Sequence, residues 1–216
     1  MEIDIYSDPV CPWCYIGKRR LEHALAQRDE HKPVIRWRAF QLNPDMPSSG
    51  LDRARYLALK FGGSDRATLL YDNIRRVGET VGIDFAFDRI AQTPNTLQAH
   101  RLIHYANGTP QADAIIETLF RRYFVEGGSI GDIESLIEVG ITAGLNADLI
   151  RAYMTSDEDL DTVQEEDSSA RRLGIQGVPC FIINSQYALS GAQEPEAFYP
   201  LFEMAAQEEV QAVVSS

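Results

Sequence analysis

The feature that most constrains this chain is a pair of cysteines two residues apart, in Ser7-Asp8-Pro9-Val10-Cys11-Pro12-Trp13-Cys14. Ahead of it, Glu2-Ile3-Asp4-Ile5-Tyr6 alternates polar and apolar residues, which suits a short strand with Ile3 and Ile5 on one face. Behind it, Ile16, Leu21, Ala24 and Leu25 recur at helical spacing from Cys14 to Gln27. Ser7-Asp8-Pro9 stops the strand and turns the chain. The cysteines therefore stand where a strand hands over to a helix.

That placement is the expected setting of a thioredoxin-type dithiol. Two intervening residues let one helical turn bring the sulfurs together, so a disulfide closes with little backbone movement. Unpaired N–H groups and the positive dipole end of a helix N-terminus favour a thiolate there. Cys11 is expected to attack, and Cys14, one turn deeper, to resolve the mixed disulfide. Pro12 fits the first helical position, where a missing N–H costs nothing. A zinc site is the competing reading of such a pair, but Cys180 and the four histidines supply no second closely spaced ligand pair, and no metal is expected.

Val34 to Leu42 reads as a second strand, with Val34, Arg36, Arg38 and Phe40 on one side and Ile35, Trp37, Ala39 and Gln41 on the other. Asn43-Pro44-Asp45-Met46-Pro47-Ser48-Ser49-Gly50 then breaks regular structure. From Leu51 to about Leu173 the periodicity is helical. The segments run Leu51 to Lys60, Asp65 to Val81, Asn95 to Asn107, Gln111 to Phe124, Gly131 to Ala143 and Asn146 toward Tyr153. Gly62-Gly63 separates the first two, with Ser64 as a cap, and a last helix capped by Ser156 or Asp157 ends at Gly174. Phe181 to Ile183 and Tyr187 to Leu189 read as strands around an Asn184-Ser185-Gln186 turn, before a final helix over roughly 195–213.

A helical block between two alternating ends predicts an α/β domain split by an insertion. The expected boundaries are 1–45 and 174–216 for the split domain and 46–173 for the helices. Pro179, directly ahead of an apolar strand, is a candidate cis proline in the loop that would face the dithiol, where Val178 could offer its backbone to an extended substrate.

Asp and Glu number 32 against 20 Lys and Arg, a formal charge of −12 that opposes nucleic acid and anionic membrane partners. Lys18, Arg19 and Arg20 read as a solvated face, with attraction of an acidic partner such as glutathione as the alternative. The acidic run Asp157 to Asp167 reads as a solvated helix face. The first strand starts at Glu2 with no room for a signal peptide, no segment suits a bilayer span, and three cysteines are too few for a disulfide framework, so a cytoplasmic location is expected. A homodimer is expected on base rate alone.

Ser7 to Lys18, the Gln41-Leu42-Asn43-Pro44 stretch, Asn95 to Arg101, and Gly177-Val178-Pro179 through Ser190-Gly191-Ala192-Gln193 together resemble the FrnE-like branch of the DsbA family, over essentially the whole chain. The resemblance implies a thioredoxin-like domain with a large all-helical insertion, a redox couple at Cys11 and Cys14, and a cis-proline loop at Pro179. A neighbouring branch resembles glutathione-dependent 2-hydroxychromene-2-carboxylate isomerases, where serine typically stands at the position of Cys11.

The expected function is thiol-disulfide exchange on protein or small-molecule disulfides, with glutathione as a co-substrate and no tightly bound cofactor. The alternatives are a glutathione-dependent isomerase or transferase and a chaperone-like binding protein. Cys11, Pro12, Trp13, Cys14 and Pro179 are the expected catalytic set. Val178, Trp13, Cys180, His100 and Arg101 are the expected substrate-binding set, with Arg101 holding a carboxylate or an interdomain contact and Cys180 either an inert core residue or a third redox thiol.

Overall fold

The computed structural model describes residues 1–28, 32–62 and 64–214. Strand β1 (Glu2–Ser7) pairs parallel with β2 (Val34–Ala39), joined to it through helix α1 (Pro12–Ala26). Returning after the helical block, β5 (Cys180–Ile183) pairs antiparallel with the other edge of β1, and β6 (Tyr187–Ser190) pairs antiparallel with β5. The sheet order is β2-β1-β5-β6, so the two ends of the chain build one sheet.

Strand alternation divides that sheet into two unlike faces. Ile3, Ile5 and Ser7 share a face with Ile35, Trp37 and Ala39 across one register and with Phe181 and Ile183 across the other. This is the apolar face that α1 and α9 (Tyr199–Val214) cover: Phe181 packs edge-on against Phe198, and Phe198 stacks on Phe202. The opposite face carries Asp4, Tyr6, Arg36, Arg38 and Cys180. Helix α8 (Leu160–Arg172) lies there, and its Glu166 accepts from Arg38 and from the Ala39 amide.

Between the sheet halves run α2 (Arg53–Phe61), α3 (Ser64–Thr80), α4 (Leu97–Ala106), α5 (Ala112–Phe124), α6 (Ile133–Thr142) and α7 (Ala147–Met154), a helical insertion within an α/β domain. Asp132 and Asn146 cap α6 and α7 through their side chains, as Asp52 caps α2. Gly63 of the expected Gly-Gly break lies outside the described residues, as does the side chain of Ser64. A stack of Tyr15, Phe85, Phe87, Phe120 and Phe124 joins α1 to this insertion.

Three expectations are corrected. The second strand ends at Ala39 rather than Leu42, because carboxylates replace sheet partners beyond it: Asp167 takes the Gln41 amide at 2.6 Å and Asp8 takes the Leu42 amide at 2.7 Å. Leu51–Asp52 is not helical but forms a two-residue ladder, β3, with Gln92–Thr93, β4. Helix α8 starts only at Leu160, after Asp159 with φ +60°, and neither Ser156 nor Asp157 caps it. The carbonyls of Ser156 and Glu158 instead accept from Arg101.

Candidate active site

Cys11 is the N-cap of α1 and Pro12 its first helical residue, as the spacing predicts. The turn is closed by the Cys11 amide donating to the Asp8 carbonyl at 2.9 Å and the Cys14 amide donating to the Cys11 carbonyl at 3.0 Å. All three cysteines are free thiols. Cys11 is only 4% exposed, and its Sγ donates to the Val178 carbonyl at 3.5 Å. The Val178-Pro179 peptide is cis, as expected from its position before β5. Trp13 is half-buried, its ring packed against the core beside the dithiol.

Gly17, one turn beyond Cys14, lets α1 approach the proline loop. A Cβ at Gly17 would stand 2.8 Å from Pro179 Cγ and 3.1 Å from Phe181 Cζ. The absence of a side chain there sets the distance between the dithiol helix and the loop that receives the Cys11 thiol.

Cys14 lies beneath Cys11, 1% exposed. Burial pushes its thiol well above the ordinary range, and the adjacent Cys11 sulfur pushes the same way. The Ser7 hydroxyl and the Asp8 backbone favour the thiolate in return. Such a thiol stays protonated until a partner disulfide forms beside it, which suits a resolving role.

Asp8 is a site residue that the sequence reading passed over as part of a turn. Its side chain is fully buried and holds the dithiol turn to the segment after β2, accepting from the Val10 amide at 3.3 Å and the Leu42 amide at 2.7 Å. Burial raises its carboxyl to about 6, opposed by those two amides, the Thr96 hydroxyl and the charge of Lys60. His100 of α4 faces it, Nε2 lying 3.8 Å from Asp8 Oδ1 with no hydrogen-bond partner. Burial lowers the imidazole to about 4, opposed by Asp167 and the Phe40 backbone. His100 is thus a buried neighbour of the dithiol turn, placed behind it rather than against an incoming substrate.

Two expected substrate contacts are overturned. Arg101 is fully buried inside the helical insertion: Nε donates to the Glu158 carbonyl, Nη2 to those of Tyr153 and Ser156, and Nη1 to Gln98. Four of its five N–H donors are taken up inside the insertion and the side chain is sealed from solvent, so it is not presented to a substrate carboxylate. Cys180 is opposite Tyr6 in the β1–β5 register, on the sheet face turned away from α1, while Phe181 takes the face toward Gly17. The alternation that buries Phe181 against α1 turns the Cys180 sulfur away from Cys11 and Cys14.

The basic trio is also corrected. Lys18 is 3% exposed and pairs with Asp113 at 3.0 Å, with Glu117 at 3.2 Å and with Glu22. Arg19 pairs with Glu22 and Glu117, and Arg20 with Glu194. These cations tie α1 to α5 and to the segment before α9, and they present no free charge to an acidic partner. An open hollow of about 410 Å³ lies between the segment after β2 and α2, lined by Leu42, Asn43, Asp45, Met46, Tyr56 and Lys60 among others; Leu42, whose amide Asp8 holds, is its link to the dithiol turn.

The model of the DSBA-like thioredoxin domain matches residues 2–202. The chain belongs to that family. This DsbA-like protein is 32% identical to the probable DsbA oxidoreductase SCO1869 from Streptomyces coelicolor, a crystal structure that it matches over 96% of its own length and 91% of the other's, with a TM-score of 0.86. It is 26% identical over 199 residues to the uncharacterized protein YwbO of Bacillus subtilis, covering 92% of this chain and 94% of that one. The fold is also that of the cytosolic disulfide reductase DsbM from Pseudomonas aeruginosa, solved with GSH: 19% identity, TM-score 0.66, 96% of this chain and 100% of that one. Among the described residues no helix is long and apolar enough to cross a membrane.

Proposed function

We propose that this protein is a thiol-disulfide oxidoreductase working through a Cys11–Cys14 couple. The observation that carries the reading is the aim of the Cys11 sulfur: from the N-cap of α1 it points at the Val178 carbonyl, immediately before cis Pro179. An extended disulfide substrate laid along that loop brings its sulfur to Cys11. The Cys11 thiolate attacks one substrate sulfur and the other leaves as a thiolate; Cys14 then attacks Cys11 Sγ, releasing the second substrate thiol and leaving the Cys11–Cys14 disulfide. Run in reverse, the same steps oxidise a dithiol.

Glutathione is the small-molecule partner we assign to this chemistry, in line with the GSH carried by DsbM. The hollow between the segment after β2 and α2 offers Lys60, whose ammonium donates to Asn43 and Tyr56 and forms no salt bridge among the described residues, with Asp45 on the same lining. A peptide carboxylate of glutathione is the anion we assign to that ammonium. An isomerase working through bound glutathione would leave Cys11 dispensable, whereas here the helix N-terminus, the proline loop and Gly17 all converge on that sulfur.

The test is equilibration in glutathione buffers of graded redox ratio, acid quenching, alkylation of free thiols and mapping by mass. A reversible two-electron couple confined to Cys11 and Cys14 is expected. A protein that yields no such couple, or only a stable glutathione adduct, is not a dithiol oxidoreductase.

A further inference from the structure

Strand β2 is an edge of the four-stranded sheet, so alternate residues turn their backbone groups away from β1. The amides of Val34 and Phe40 donate to the carbonyls of Met1 and Ser7 on the β1 side, which leaves Ile35, Trp37 and Ala39 facing outward. Two of these three positions are closed from within the chain. The Ala39 amide donates to Glu166 at 2.8 Å. At Trp37 the side chain of Asn107, just past α4, does what a neighbouring strand would do. Its Oδ1 accepts from the Trp37 amide at 3.0 Å, and its Nδ2 donates to the Trp37 carbonyl at 2.7 Å. A single carboxamide thus satisfies a whole edge residue.

Ile35 is the position left open. Neither its N–H nor its C=O has a hydrogen-bond partner among the described residues. An edge group in contact with water is ordinary, but Ile35 lines a cavity of about 630 Å³, within the size range of ligand sites. Leu25, Ala26, Pro33, Trp37, Pro110 and Ala112 give that cavity an apolar wall. Cys11 caps the first turn of α1, whereas Leu25 and Ala26 close its last, so the length of a 15-residue helix, about 22 Å, separates the cavity from the dithiol.

The charges on the lining are of two kinds. Glu22 and Asp113 are both paired with Lys18, and Arg28 lies over the Phe202 ring, 5.0 Å from its centroid. Lys32 is exposed and forms no salt bridge among the described residues. The cavity therefore combines an apolar wall, one unused backbone donor and acceptor, and an unpaired ammonium.

We propose that this edge and cavity bind the C-terminal residue of a partner protein, one with an apolar side chain. A residue laid antiparallel to Ile35 exchanges both backbone hydrogen bonds with it, as Asn107 does with Trp37. Read from N to C, such a chain runs from the Trp37 side toward Lys32, so its carboxylate accepts from the Ile35 N–H and meets the ammonium. Its side chain enters the cavity. A chain end fits better than a long strand, because Pro33, the next outward position, has no N–H to offer, and Asn107 already fills the edge at Trp37. The upstream residues leave the edge there.

This inference does not rest on the dithiol reading. Its test titrates the isotope-labelled full-length protein with hexapeptides Gly-Ser-Gly-Ser-Gly-X, where X is Val, Leu, Ile, Met or Phe, each as the free acid and as the C-terminal amide. At least one free acid is expected to shift the Ile35 amide resonance saturably below about 1 mM, with the Cys11 and Cys14 amides unmoved and the amide form about tenfold weaker. Lys32→Gln is expected to weaken binding about three- to tenfold. Ala26→Trp, which fills the cavity with an indole, and Ile35→Pro, which removes the edge N–H, should each abolish it. If Ile35→Pro lacks a cooperative melt, the two substitutions at the exposed positions Ala26 and Lys32 decide. No saturable shift with any of the five acids overturns the proposal. So do equal binding of acid and amide, shifts centred on the dithiol turn, or binding that survives both Ala26→Trp and Lys32→Gln.

Discussion

His100 Nε2 faces Asp8 Oδ1 at 3.8 Å, and both side chains are sealed from water beneath the dithiol turn. Burial acts on them in opposite senses: it raises the Asp8 carboxyl from 3.8 to about 6 and lowers the His100 imidazole from 6.5 to about 4. For Asp8 the folded value lies above the unfolded one, so its contribution to stability is full below about pH 4 and is lost as pH rises through 6. For His100 the folded value lies below, so its contribution is full above about pH 6.5 and is lost as pH falls through 4. Over the same window each is worth about 3 kcal/mol, and the two nearly cancel.

Removing either residue exposes the other. Asp8→Asn is expected to lose stability more steeply than the parent as pH falls from 7 to 5. His100→Gln is expected to gain stability, relative to the parent, over the same descent. Urea unfolding at pH 7, 6 and 5 reads both slopes, and parallel slopes in all three proteins would show that the pair does not titrate as a buried couple.

Gly17→Ala should destabilise the protein although alanine is the better helix former. The helical gain is about 1 kcal/mol, whereas a Cβ 2.8 Å from Pro179 Cγ forces a shift that costs about 1–3 kcal/mol. The shift also moves the proline loop away from the Cys11 sulfur, so disulfide exchange per folded molecule should fall as well. Urea midpoints and exchange rates measured on the same samples separate the two effects, and a variant at least as stable and as active as the parent would mean that α1 is not seated by this contact.

Arg101→Met should cost about 1–3 kcal/mol, because it removes four hydrogen bonds from a buried charged donor, three of them to the carbonyls of Tyr153, Ser156 and Glu158. Lysine should not restore them, since one ammonium cannot reproduce a planar fork serving three acceptors. Exchange activity per folded molecule should stay at the parent level. Thermal melts paired with activity corrected for folded fraction would show this, and a selective rise in substrate KM at full stability would return Arg101 to the binding site.

Much of this arrangement could be read before any coordinates, and the reasons are local. Alternation fixed both faces of β1 and β2, helical period marked the insertion, and the Cys11-Pro12-Trp13-Cys14 spacing located the turn. The cis peptide before Pro179 followed from the place of that proline ahead of an apolar strand. What stayed hidden depends on contacts far apart in sequence. Asp8 looks like a turn residue until the Leu42 amide is seen on it, 34 residues away. Arg53 is one of many arginines until Thr93 and Tyr71 enclose it. His100 and Arg101 are adjacent in sequence, yet the rotation of about 100° between neighbouring helical residues sends the first to Asp8 and the second to the carbonyls before α8. No spacing rule distinguishes a basic residue aimed at a cleft from one buried against backbone.

Cys180 follows the cis proline in sequence, which invites a role as a third redox thiol, but the sheet register decides otherwise. Tyr6 is its direct partner across β1, and the groups that act on the Tyr6 hydroxyl are Arg38, Asp4, Glu166 and Cys180 itself, all on the α8 side of the sheet. Burial raises the Cys180 thiol, which further lowers the thiolate available for exchange at neutral pH. Cys180→Ala should therefore leave the Cys11–Cys14 couple, its midpoint in glutathione buffers and the trapping of mixed disulfides at Cys11 unchanged, with only a small loss of stability from the vacated volume. In the parent, Cys180 should be alkylated far more slowly than Cys11 until urea unfolds the sheet. A mapped disulfide linking Cys180 to Cys11 or Cys14 in the folded protein would require β5 to slip by one residue against β1, carrying Phe181 and Ile183 off the α1 face, and would refute the register on which this assignment stands.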